Sequence, residues 1–169
     1  MTEGKKEGGF NGKWALIVCH PWCPSYSDQI ARARAWGLDE RMAEIDGATV
    51  DLSAISVDDV RSVGRTTNWK PHLAARERWF AALKTLRVEG DRVFFATPLC
   101  VGFSAKIAEW TIGMAFEAGL EVYIHTTAGN GPAVYRAGDD MADFYDSVRL
   151  AANAAYQAAN RARKSGKAN

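Results

Sequence analysis

Three short stretches of this chain carry the residue types from which a small-molecule site is built. The first, His20-Pro21-Trp22-Cys23-Pro24-Ser25-Tyr26-Ser27, stands directly before a helical pattern. Backbone N–H groups are unpaired at a helix start, so hydroxyls and an imidazole beside them suit a phosphate. Ser25 or Ser27 would serve equally as a plain helix cap, and Asp28 in the first turn opposes an anion. The second stretch, Thr97-Pro98-Leu99-Cys100-Val101-Gly102-Phe103-Ser104, is apolar and tight. Exposed, it could cover the face of a flat ring; turned inward, it would only pack against the next helix. The third runs from Thr126 to Gly138 and holds Gly129 and Gly131. Glycines there let backbone amides approach a ligand closely, or they make a hairpin-like surface turn.

Other chemistries are less well supplied. Cys19, His20 and Cys23 do not have the spacing of a zinc site, and no second ligand pair follows, so no metal is expected. Cys19 reads as a small buried thiol at a strand end. Nothing in the pattern brings His125 to Cys23 or Cys100, as a cysteine nucleophile would need. No Walker lysine motif occurs, and no glycine fingerprint for a dinucleotide follows the first strand.

The elements that must position these stretches alternate between strand and helix. Trp14–Cys19 is a continuous apolar run, as suits a strand buried on both faces. Residues 28–45 read as a helix, with Ile30, Ala33, Leu38, Met42 and Ile45 near one side and Gly47 as its stop. Residues 48–52 read as a second strand, less apolar and nearer an edge. Ser56–Ser62 suggests a short helical turn and residues 66–68 a loop. Leu73–Leu83 is a further helix, Arg92–Ala96 a buried strand, Ser104–Ala118 a helix stopped by Gly119, and Glu121–His125 a fourth strand. The last helix is expected over 141–162, with Phe144, Val148, Ala151, Ala155 and Ala159 on one stripe. Its alanines permit close packing against the sheet or another subunit.

This order predicts one α/β domain over residues 13–162 with a doubly wound parallel sheet, four or five strands and helices on both faces. Residues 1–12 read as a flexible arm and 163–169 as a flexible basic tail. Ligands of such sheets sit outside the carboxyl ends of the strands where strand order reverses, between the first and third strands. The three stretches all lie at that edge.

Composition narrows the class. The 169 residues carry a formal net charge of +1, which gives no special attraction to nucleic acid. No apolar run reaches the roughly 20 residues of a membrane helix, so no membrane insertion is expected. Three cysteines, Cys19, Cys23 and Cys100, make no disulfide framework. With a polar N-terminus lacking an export signal, they predict a cytoplasmic location. Trp22, Trp36, Trp69 and Trp110 are expected to fill the core or line a subunit contact.

Taken together, Leu16–Ser27, Asp91–Gly119 and Thr126-Thr127-Ala128-Gly129 with Tyr135 resemble the flavodoxin-like NAD(P)H:quinone oxidoreductases, among them the ancillary proteins of Kef-type potassium efflux systems. The resemblance covers roughly residues 14–138 and implies bound FMN or FAD. His20, Ser25, Tyr26 and Ser27 would hold the phosphate. Pro98, Leu99, Cys100, Val101, Gly102 and Phe103 would cover the isoalloxazine ring, and Thr126, Thr127 and Gly129 would meet its polar edge, with Tyr135 also in the cofactor site. NAD(P)H would deliver hydride to the flavin, which would reduce a quinone or similar small acceptor, in a homodimer. The chain departs from that family in having Cys100-Val101-Gly102 where aromatic residues are usual, and in lacking an evident fifth strand.

Two other readings stand beside it. The chain also resembles nucleoside 2-deoxyribosyltransferases and nucleotide N-glycosidases, which use a carboxylate nucleophile after the third strand. Glu109 is the candidate, although aligning Gly113-Met114-Ala115 and Gly119 with that family puts Thr111 at the nucleophile position. A non-catalytic flavodoxin-like binding module is the third.

Overall fold

The computed structural model describes residues 12–38, 55–59, 68–127 and 131–168, with the backbone alone at 55–59 and 167–168. In chain order the strands are β1 (Lys13–Cys19), β2 (Ile55–Asp59), β3 (Arg92–Phe95), β4 (Glu121–Ile124) and β5 (Ala133–Tyr135). The helices are α1 (Tyr26–Trp36), α2 (Lys70–Leu86), α3 (Pro98–Val101), α4 (Ala105–Glu117) and α5 (Ala142–Ala168). The strands form one sheet in the order β2-β1-β3-β4-β5. The first four are parallel, and β5 pairs antiparallel with β4. The chain is therefore α/β, with an open and mostly parallel sheet. No helix among the described residues is long and apolar enough to cross a membrane.

The sheet is covered on both faces. In β1 every residue from Trp14 to Val18 is buried, which an aliphatic run achieves only between two layers. On one face Trp36 of α1 stacks on Tyr123 at 4.7 Å between ring centroids and on Phe94 at 5.6 Å. Side chains alternate along a strand, so Val93, Phe95, Val122 and Ile124 point the other way, and they are buried as well. There α2 packs on α4, and α4 packs on α5.

Several boundaries differ from those read in the sequence. The first helix ends at Trp36, well short of residue 45. Gly37 adopts φ 110°, and the N–H groups of Gly37 and Leu38 bond back to Arg34 and Ala33, closing the helix with a left-handed cap. The apolar spacing past Leu38 outweighed that glycine in the sequence. Residues 48–52, the expected second strand, lie outside the described residues. The second strand is Ile55–Asp59, where a helical turn was expected across 56–62. Its parallel register, Ala15 opposite Ile55 through Cys19 opposite Asp59, explains why backbone pairing prevails. The 97–104 stretch holds a short helix, Pro98–Val101. The last helix continues past 162 to Ala168. The expected 126–138 loop contains β5, a three-residue strand with only half-buried side chains, too short to show a strand pattern.

Glu121 ties the small antiparallel end to the sheet. Its carboxylate accepts from Arg92 Nε at 2.9 Å on the neighbouring strand and from Arg136 Nε at 2.8 Å just after β5. Burial works to raise its pKa, but the bonds from Arg136 and Arg92 bring it below 4.5. A depressed carboxyl stabilises the fold above its unfolded pKa and loses that contribution as pH falls through the folded value. Stability should therefore fall with acidification below about pH 4.5, and Glu121→Gln should lower stability at neutral pH by about 1 kcal/mol while flattening that acid slope. Urea titrations at pH 7 and pH 3 measure both; an unchanged slope would show that the two ion pairs contribute nothing.

Candidate functional site

The site is set by a fork between two strands. β1 and β3 pair from Lys13 opposite Arg92 to Ala15 opposite Phe94, and beyond Ala15 no further rung joins them. Chain order reverses at this place, since β2 lies on one side of β1 and β3 on the other. The upper end of β1 then needs other partners for its backbone. Gln29, fully buried on α1, supplies them: its Oε1 accepts from Val18 N at 3.1 Å, and its Nε2 donates to Val18 O at 2.8 Å and Pro24 O at 2.7 Å. One side-chain amide thus fills the fork and fixes the loop above it.

That loop, residues 20–25, leads into α1. Cys23 N donates to His20 O at 2.9 Å, and Trp22 N donates to His20 Nδ1 at 3.1 Å. Ser25 is the helix N-cap, its Oγ accepting from Asp28 N at 3.1 Å. The capping role weighed for Ser25 in the sequence is thus realised. Ser27 Oγ lies 3.3 Å from Ser25 Oγ, and Ser25, Tyr26 and Ser27 are all exposed. Of the first N–H groups of α1, that of Asp28 is taken by Ser25 Oγ.

The second stretch is turned inward. Pro98, Cys100, Val101, Gly102 and Phe103 are buried, and Thr97, Leu99 and Ser104 are half-buried. Phe103 makes ring contacts with His20 at 4.3 Å, Trp22 at 5.0 Å and Trp69 at 5.3 Å. Gly102 is held against α4, where an added Cβ would come within 2.7 Å of Ala108 N. The inward packing weighed against ring covering in the sequence is the observed arrangement.

The third stretch reaches the same edge through its first residues. The N–H groups of His125 and Thr126 continue the β3–β4 ladder to Phe95 O and Ala96 O. Thr126 is exposed, and its Oγ1 accepts from Arg32 Nη1 of α1 at 3.4 Å. Thr127 is taken up by the turn into β5, bonding Gly131 O through both N and Oγ1. Gly129 lies outside the described residues. Tyr135 does not join the site: it sits opposite Val122, toward the amino end of β4, and packs on Phe144 at 5.3 Å. His125 stands beside Tyr123, with ring nitrogen and hydroxyl 3.4 Å apart, and burial lowers its pKa, assisted by Arg32.

The structure thus places exposed Ser25, Tyr26 and Ser27 at the start of α1, packs His20 of the preceding loop on Phe103, and joins Thr126 to α1 through Arg32. It adds groups that sequence reasoning passed over. Arg76 of α2 is buried and donates to Val101 O at 2.7 Å, Thr111 Oγ1 at 2.8 Å and Cys100 O at 3.3 Å, with its guanidinium 5.3 Å from the Trp69 ring. Its signal was present: Leu73, Arg76, Phe80 and Leu83 follow the 3-4-3 spacing of a buried helix face. Thr111, the residue aligned with a nucleophile position, is occupied by Arg76. Glu109 is exposed, and its charge acts on Tyr145 of α5.

Cys100 is buried at the fork, its Sγ 3.4 Å from Thr97 Oγ1 and 3.8 Å from Gln29 Oε1. Interaction with the Cys100 thiol and burial push Cys23 upward in pKa. Burial opposes ionisation of Cys100, but interaction with Cys23 and the Thr97 hydroxyl brings its pKa down. No cluster of metal-ligand residues forms among the described residues. No protein-family model, curated protein or solved structure matches this chain.

Proposed function

We propose that this chain binds a phosphate-bearing flavin, FMN or FAD, at the carboxyl edge of β1 and β3. In this reading it is a cytoplasmic NAD(P)H oxidoreductase that reduces a quinone or similar small acceptor and works as a homodimer. The observation that carries the reading is the exposed start of α1, with Ser25, Tyr26 and Ser27, at the carboxyl end of β1 where strand order reverses. The order β2-β1-β3-β4 is that of a flavodoxin-like sheet, from which the antiparallel β5 departs.

The fit is good at one end of such a cofactor and poor at the other. Exposed Ser25, Tyr26 and Ser27 at the start of an 11-residue helix suit a phosphate. The buried 98–103 stretch offers no open apolar face to a ring. Half-buried Trp22 and exposed Tyr26 are the aromatic surfaces at this rim.

Ser27→Asp tests the phosphate end. Ser27 is exposed and is not the cap, so folding should be unaffected. A new carboxylate beside the phosphate should weaken FMN binding at least about tenfold, near 1.4 kcal/mol. Fluorescence titration reads the affinity, and an unchanged value removes Ser27 from the site.

A further inference from the structure

We propose that the outward face of α5 is a self-pairing surface, on which α5 of a second copy of this chain lies antiparallel across a two-fold axis. The inference gives a surface to the homodimer of the reading above and does not depend on the flavin. α5 runs for 27 residues, Ala142–Ala168. Its own domain covers only the first part: Phe144, Val148 and Ala152 are buried, and no side chain from Asn153 to Gly166 is. At 1.5 Å per residue this leaves about 21 Å of helix without a buried side chain.

The exposed side carries a pattern that suits a copy of itself. Asp143, Asp146, Leu150, Gln157, Arg161 and Lys164 follow one another at helical spacing and share one stripe, opposite Phe144, Val148 and Ala152. All six are exposed. The stripe is acidic toward its amino end and basic toward its carboxyl end, with Leu150, 58% exposed, between them. The helix dipole accounts for Asp143 in the first turn, but it acts only within the terminal turns, and Asp146, Arg161 and Lys164 lie beyond them.

Turning one copy end over end brings opposite charges together. With the axis between Asn153 and Ala154, Asp143 meets Lys164 of the second copy, Asp146 meets Arg161, and Leu150 lies along Gln157, each contact repeated by symmetry. The three-residue step from Asp143 to Asp146 equals that from Arg161 to Lys164, so both ion pairs form in one register. Small side chains at the axis let the two backbones approach. Within its own chain Asp146 meets Arg149 Nη2 at 3.3 Å, an exposed contact that a second copy can displace. A parallel copy would set the two aspartates against their own kind. A foreign helix of one sign would be repelled at one end of the stripe, so the second copy is the occupant that satisfies both ends.

The test is sedimentation equilibrium of the full chain and of two double variants. The wild type should sediment as a dimer whose dissociation constant rises with salt, because the cross-pairs are exposed. Asp143→Lys with Asp146→Lys, and separately Arg161→Glu with Lys164→Glu, should each weaken self-association by more than about tenfold. Mixing the two variants should restore a dimer, since each reversed end again faces the opposite charge. All four positions are exposed, and circular dichroism checks that each variant folds. Should one variant fail to fold, the other and the salt dependence of the wild type decide. Three results overturn the proposal: a monomeric wild type, a dimer that the reversals leave intact, or folded variants whose mixture stays monomeric. The second of these keeps the homodimer and removes only this surface, and flavin retention is read separately by absorbance.

Discussion

Replacing Arg76 with alanine should lower folding stability by about 3 kcal/mol or more, from bonds to a charged donor and the acceptors left buried without it. Arg76 reaches Val101 O, Cys100 O and Thr111 Oγ1, joining α2 to the end of α3 and to the middle of α4. Two of these acceptors are carbonyls in the last turn of α3, which a helix of only four residues leaves without partners of its own. Alanine would leave them dry and unpaired, and would vacate the space beside Trp69. In a chain of this length the midpoint of thermal unfolding should fall by roughly 6–12 °C. Arg76→Lys keeps the charge but not the planar fork, so an intermediate loss is expected. Urea unfolding measures the difference. A loss below about 1 kcal/mol for the alanine variant would show that α3 is held by other contacts.

Gly102→Ala should cost about 2 kcal/mol through overpacking. The backbone at Gly102 is extended, with φ 177°, so alanine could adopt it without strain. The cost is steric. An added Cβ would lie 2.7 Å from Ala108 N, 2.9 Å from Ile107 Cγ2 and 3.0 Å from Ile107 C. Two of the three are backbone atoms of α4, which cannot swing aside as a side-chain end would. The relief is a shift of the segment between α3 and α4, and Phe103 moves with it, away from His20 and Trp22. Weakened ligand binding should accompany the lost stability. Calorimetry of the variant that showed the wild-type transition would mean that α4 yields freely.

These two residues also mark what the sequence makes legible. The alternation of aliphatic runs with helical spacing is local, and it locates β1, β3, β4, α2 and α4 closely. Ser104 caps α4 as its type suggests, accepting from Ile107 N at 3.2 Å. The stretches at the carboxyl edge are likewise readable, because a parallel sheet places its loops by topology. What is not readable is which way a loop faces. Pro98–Phe103 is as apolar when packed inward as when it covers a ring, and only the contact of Phe103 with His20, Trp22 and Trp69 decides the matter. Tyr135 is lost to the site for a related reason. β5 runs antiparallel to β4, which carries it back toward the amino end of β4, and three residues show no strand period.

The polar residues of the interior were the other gap. Gln29 and Ala33 share the buried side of α1, as Arg76 shares that of α2 with Leu73 and Phe80. A polar residue on an apolar stripe must find partners when buried, and it therefore announces a structural joint. Here the joints are the strand fork closed by Gln29 and the α2–α3–α4 contact closed by Arg76. Gln29 bonds Val18 and Pro24, and its Oε1 lies 3.8 Å from Cys100 Sγ, so one residue joins β1, the loop above it and α3.

The flavin reading is tested most directly by the visible absorption spectrum of the purified chain after incubation with excess FMN or FAD and removal of the unbound cofactor. A retained flavin band that NADH or NADPH bleaches is the expected result, since the cofactor itself would carry the electron chemistry. A protein that emerges colourless from both incubations, while folded by circular dichroism, would contradict it.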